Sequence, residues 1–222
     1  MLAASTSTGF KALNFNESNS HQPTIASPTI RSKLLVGLID TDFKPDKATI
    51  APTQILWGWN HYSGNGASSV QPTNHQHGSA VLNVVMASES GCANGRDRQP
   101  LLWLGRAVGT GQWAASLVEF VTTVRALGTE NAVINLSFDL VQGNPVGQLT
   151  TRFKLAPQEQ AALQYAHQQG VLIVAAAGNT GGAMSALGQA ARMFDNIITV
   201  GAAEQQQRLF VQAIILPVNQ FL

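Results

Sequence analysis

Three residues of this sequence have side chains suited to moving protons or holding charge, and each stands where an apolar run meets a polar one. Asp40 closes Leu34-Leu35-Val36-Gly37-Leu38-Ile39 and leads into Thr41-Asp42. His77 stands in His75-Gln76-His77-Gly78-Ser79, ahead of the apolar segment 81–87. Asn179 follows Val174-Ala175-Ala176-Ala177-Gly178. An imidazole changes charge near neutral pH. A carboxylate accepts hydrogen bonds and attracts a cation, and a side-chain amide donates two N–H groups. Taken singly, each has a plainer reading. Asp-Thr-Asp suits a turn, a histidine can simply open a helix, and Gly-Asn is ordinary turn chemistry. Their interest depends on the elements that carry them.

Those elements alternate. Five apolar runs rich in Val, Ile and Leu begin at Leu34, Leu101, Ala132, Val171 and Ile197. Runs of four to seven residues, apolar on both faces, fit strands of a buried parallel sheet. Between them lie helical patterns. Residues 112–127 put Trp113, Leu117, Val121 and Val124 on one face, and Gly128 supplies the stop. Residues 157–169 open on a proline and end at Gly170. A third helix spans 81–87 and starts near His77. The expected fold is therefore α/β: a doubly wound, mostly parallel sheet with helices on both faces. In such sheets ligands sit beyond the carboxyl ends of the strands, where the acid, the histidine and the amide converge.

Composition narrows the partners. The chain has 222 residues, 45% of them hydrophobic, and a net charge of +1 from 13 basic and 12 acidic residues. This balance argues against nucleic acid or an anionic membrane surface as a partner. No stretch reaches the roughly 18 apolar residues of a membrane span, and no basic region precedes an apolar one as in a secretory signal. The single cysteine, Cys92, excludes a disulfide framework and a multi-cysteine zinc site. His75 and His77 have no matching cluster of ligands, so zinc is not expected. Residues 1–31 are expected to form a polar leader, 32–208 the folded domain and 209–222 an apolar tail.

Five segments in order resemble the subtilisin-like serine proteases, the subtilases. Val36-Gly37-Leu38-Ile39-Asp40-Thr41 resembles the family's aspartate motif, and His77-Gly78-Ser79-Ala80-Val81 its histidine motif. Val133-Ile134-Asn135-Leu136-Ser137 is similar to the cleft-lining strand. Val174-Ala175-Ala176-Ala177-Gly178-Asn179 is similar to the oxyanion segment, and Ile198-Thr199-Val200-Gly201-Ala202 to the strand after it. The resemblance makes Asp40 the orienting acid, His77 the general base and Asn179 the oxyanion donor, a donor worth about 3 kcal/mol to the transition state. It makes the backbones of Gly109, Thr110 and Gly111, and of Leu136, Ser137 and Phe138, the two edges that pair with an extended polypeptide. Subtilases often bind structural calcium. No clear acidic loop for it stands here, the oxygen-rich stretch 89–97 being the nearest approach, and no cofactor is expected.

The departures carry as much weight. The family's nucleophile lies in Gly-Thr-Ser-Met-Ala, which occurs nowhere in this sequence, and the family pattern stops at about Arg208. The domain reads as incomplete at its C-terminal end, and no peptidase turnover is expected. Ser185 is the one serine near the oxyanion segment and lies where the family carries variable sequence. Two other readings stand beside this one. A non-catalytic peptide-binding remnant would share the ancestry without the chemistry. A dinucleotide-binding domain would use Gly109-Thr110-Gly111-Gln112-Trp113-Ala114 as a G-x-G-x-x-A motif, with Asp139 as the ribose acid.

Overall fold

The computed structural model of the chain describes residues 34–41, 43–45, 50–58, 77–87, 100–106, 112–179 and 181–202. Strands β1 (Leu35–Asp40), β2 (Ile55–Trp57), β3 (Leu101–Arg106), β4 (Ala132–Leu136), β7 (Leu172–Ala176) and β8 (Ile197–Val200) form one sheet. Its order is β2-β3-β1-β4-β7-β8, with every pairing parallel. A separate antiparallel hairpin, β5 (Val141–Gly143) with β6 (Leu149–Thr151), follows β4. Three helices complete the fold: α1 (His77–Ala87), α2 (Trp113–Leu127) and α3 (Pro157–Gln168). Helices α2 and α3 end as expected at left-handed glycines, Gly128 at φ 61° and Gly170 at φ 68°.

Register assigns each strand residue to a face. Leu35, Ile39, Trp103, Ile134, Leu136, Ile173, Ala175 and Ile197 meet Leu117, Phe120 and Val121 of α2 and Ala162, Leu163 and Ala166 of α3 in the larger core. Two glycines permit that packing. A Cβ on Gly37 would stand 2.7 Å from the Phe120 ring, and one on Gly105 would stand 2.5 Å from the Trp103 indole. Trp103 and Phe120 then meet edge to face at 5.5 Å. The opposite face carries a smaller core, in which Leu82 of α1 packs with Val36, Leu38, Leu102 and Leu104.

Two elements escape the sequence pattern. β2 is only three residues long and sits at the sheet edge. The hairpin β5–β6 is polar and exposed, without the alternation that marks a strand. Its base is fixed where the Arg152 N–H donates to the Leu140 carbonyl at 2.9 Å and the Ala186 N–H to the Arg152 carbonyl at 2.8 Å.

The same Arg152 side chain takes part in the most densely bonded buried group among the described residues. Its guanidinium donates two hydrogen bonds to the Glu159 carboxylate, at 2.6 and 2.8 Å. The Trp113 indole N–H adds a third at 2.8 Å and the Ala156 N–H a fourth at 2.7 Å. Glu159 thus satisfies a free N–H at the start of α3 and ties α3 to the first residue of α2. Burial alone would push its carboxyl up. The bonds from Arg152, Ala156 and Trp113 outweigh that, and the group ionises below the usual carboxylate range. Hydrogen bonding to Glu159 holds the Arg152 guanidinium above its ordinary value, against the opposing effect of burial.

A group whose folded pKa is lowered contributes stability that is complete above the unfolded value, about 4.3 for glutamate, and is lost as pH falls through the folded value. Glu159→Gln is expected to cost about 2 kcal/mol at pH 7. Urea midpoints of both proteins over a pH series should converge in acid. A gap that stays constant down to pH 2 would contradict this account.

Candidate active site

Sheet order brings three sequence motifs to one edge. β1, β4 and β7 are neighbours. Asp40 at the end of β1, Ser137 just past β4 and Asn179 three residues past β7 therefore lie at the same carboxyl edge. Histidine arrives from outside the sheet as the first residue of α1.

The structure brings Asp40 and His77 into contact. His77 Nδ1 lies 2.7 Å from Asp40 Oδ1. Because a carboxylate only accepts, Nδ1 carries a proton, and in the neutral ring that tautomer leaves the Nε2 lone pair outward. The Asp40 side chain is 1% exposed, whereas the His77 side chain is 47% exposed. The acid is thus dry and the far side of the ring is open. The Thr41 N–H also donates to Asp40 Oδ1, at 2.6 Å. Asp40 Oδ2 is buried without a hydrogen-bond partner.

Two hydroxyls that sequence reading passed over hold this pair in register. The Gly78 N–H, in the first turn of α1, donates to Thr41 Oγ1 at 3.0 Å. The Lys44 N–H donates to Ser79 Oγ at 2.9 Å. Both hydroxyls sit beside the residues already singled out, one after the acid and one two positions after the histidine. A free N–H at a helix start calls for an acceptor such as Thr41, so that signal was present in Asp40-Thr41, whereas the Ser79 hydroxyl serves the Lys44 N–H of the loop after β1.

The remaining candidates separate into edge, core and undescribed. Asn179 is exposed and follows Gly178, which is buried at φ 114°, a conformation suited to glycine. Ser137 is half-buried and its hydroxyl accepts from Asn135 Nδ2 at 2.7 Å. Leu136 is fully buried, and the Phe138 ring packs against the core 5.9 Å from Trp113. At these two positions only the backbone is free to meet a ligand. Gly109, Thr110 and Gly111 lie outside the described residues, as does the 89–97 stretch. Among the described residues no three His, Cys, Asp or Glu side chains group to hold a metal ion. No helix among them is long and apolar enough to cross a membrane.

Topology corrects the dinucleotide reading. A dinucleotide fold of order 3-2-1-4-5-6 places the ribose acid after a strand adjacent to the one preceding its glycine motif. Here β1 separates β3 from β4. Asp139 instead turns back on its own chain, its Oδ1 accepting from the next backbone N–H, that of Leu140, at 3.1 Å.

Comparison with known proteins places the chain in a family. The model of the subtilase family of peptidases matches residues 31–211. The chain belongs to the subtilase family. No curated protein matches it. Similar folds occur in the prenylagaramide maturation protease PagA, at 14% identity and TM-score 0.52, over 84% of this chain and 60% of that one. The patellamide maturation protease PatA shares 17% identity at TM-score 0.51, over 83% of this chain and 61% of that one. The nisin leader peptidase NisP from Lactococcus lactis shares 15% at TM-score 0.50, over 83% and 60%. At these identities the likeness is one of fold, and this subtilase chain spans about 60% of the length of those structures.

Ser185 is enclosed in the fold. It is 0% exposed and its hydroxyl has no hydrogen-bond partner. A buried hydroxyl without a partner costs about 1–3 kcal/mol of desolvation that an alanine would not incur. Ser185→Ala is therefore expected to melt at or above the temperature of the parent protein. A lower melting temperature would reveal a partner for the hydroxyl.

Proposed function

We propose that this subtilase chain carries the acid–base half of a serine endopeptidase site and binds an extended polypeptide without cutting it. In this reading Asp40 fixes the His77 tautomer and His77 Nε2 is the general base. Asn179 donates to the oxyanion. The backbones of residues 109–111 and 136–138 flank the peptide. The observation that carries it is the 2.7 Å bond from the exposed His77 ring to the buried Asp40 carboxylate. A hydroxyl placed at Nε2 would pass its proton to the ring as its oxygen attacked a peptide carbonyl, and the ring would return that proton to the leaving amine. The 222 residues contain no Gly-Thr-Ser-Met-Ala motif to supply that hydroxyl.

The domain division follows the same reading: a polar leader over 1–31, the peptidase portion over 32–208 and an apolar tail over 209–222. The partner is an extended polypeptide. A resident cofactor has no role in the scheme.

One experiment with two readouts tests the proposal. A fluorophosphonate probe, which labels activated serines, is expected to leave the chain unlabelled, and labelling at Ser185 or any other serine would overturn the missing nucleophile. A fluorescent peptide library in extended form is expected to bind saturably by anisotropy and to be recovered uncut. Cleaved products would refute inactivity, and an absence of binding would refute the cleft.

A further inference from the structure

The two faces of the sheet are covered unequally. Helices α2 and α3, with the turn that buries Ala186, Leu187, Ala190 and Phe194, cover one face across to Ile197 of β8. On the other face α1 covers β3 and β1 and reaches Ile55 and Trp57 of β2. In-register pairing continues this face onto Val133, which still packs against the smaller core, and Asn135 of β4, then onto Leu172 and Val174 of β7 and Ile198 and Val200 of β8. Among the described residues nothing covers that second half. Leu172 is 37% exposed, Ile198 49% and Val200 51%. A parallel sheet is normally buried on both faces, so this half-face is built to be covered.

What covers it must be apolar, uncharged and close at hand. The described chain leaves β8 at Val200 and continues to Ala202, at the border of the bare half-face. Twenty residues, 203–222, remain. Within them Leu209-Phe210-Val211-Gln212-Ala213-Ile214-Ile215-Leu216 contains seven apolar residues and no charge. The bare strands likewise present no charge: their side chains on this face are aliphatic apart from the half-buried Asn135 amide. Six linking residues reach up to about 20 Å when extended, and β8 itself is roughly 13 Å long. The run can therefore turn back over the strand it leaves. Eight residues span about 26 Å extended or about 12 Å as a helix, and either crosses the roughly 10 Å between β4 and β8. A tethered segment acts at an effective concentration near the millimolar range, well above that of a second molecule in dilute solution.

We propose that residues 209–216 of this chain fold back onto the half-face formed by Leu172, Ile198 and Val200 and complete the sheet in cis. The tail is then an intramolecular cover and not an edge in search of a partner. The proposal does not depend on the peptidase reading.

Disulfide trapping in the full chain tests it. In a Cys92→Ser background, Ile198→Cys combined with Ile214→Cys is expected to oxidise to a disulfide within one chain, seen as a monomer with a tail-to-β8 crosslink by peptide mass mapping. Val84→Cys combined with Ile214→Cys is the control, because Val84 is 70% exposed on α1, away from the half-face. It is expected to stay reduced. Disulfides only between chains would assign the half-face to a second copy, and no disulfide at 198 would leave it to a separate polypeptide. Either result overturns the proposal, as does equal trapping at 84 and 198. Independently, Ile214→Asp is expected to raise binding of the dye ANS several-fold while a cooperative melt is retained. Unchanged dye binding would count against the cover.

Discussion

Burying one carboxylate at the end of the central strand sets much of this structure. An unpaired carboxylate out of water costs several kcal/mol, so Asp40 must collect donors where β1 ends. It takes one from the next backbone N–H and one from His77. The second comes from a helix, and holding it fixes the first turn of α1 against the end of β1. α1 then lays Leu82 on Val36, Leu38, Leu102 and Leu104. Ring orientation, helix placement and closure of the smaller core thus share one electrostatic origin. Asp40 Oδ2, left without a partner, makes the arrangement less tolerant still, since the carboxylate has no spare donor to fall back on.

The larger core is held differently. There the polar anchor is Glu159, which gathers Arg152, Trp113 and Ala156 around one carboxylate and locks the start of α3 to the start of α2. The two buried acids divide the work. Asp40 keeps a titratable partner facing solvent, and Glu159 keeps a permanently charged one wrapped inside the fold. A histidine can exchange protons with what approaches it, whereas a guanidinium in two parallel bonds cannot. A solvent-facing imidazole and a fixed ion pair are therefore kept apart by choice of partner.

What the sequence made legible follows from how far each signal travels along the chain. The five principal strands are continuous apolar runs, and their helices stop at glycines whose left-handed φ is local chemistry. Asp40 and His77 were readable because each sits in a short motif. The Glu159 group was not. Trp113, Arg152 and Glu159 are individually unremarkable, and only folding of α2 against α3 assembles them. β2 was hidden by its length and the hairpin by its polarity. At Leu136 and Phe138 the resemblance speaks only for the backbone, and side-chain direction, set by packing, turns toward the core.

The position of β1 also bears on how the molecule is made. The first described strand to emerge during synthesis lies in the middle of the sheet, with Leu35 paired to Leu101 on one side and to Ala132 on the other. Contacts this distant in sequence form slowly. Until residues up to Arg106 have been translated, β1 has both hydrogen-bonding edges open, and one edge stays open until Leu136. Such a strand is a target for chaperones and for mispairing. Asp40 therefore gains its register neighbour, Arg106, only when β3 arrives. Both residues of the Asp40–His77 pair precede β3 and β4 in the chain, so their contact does not have to wait for closure of the sheet centre.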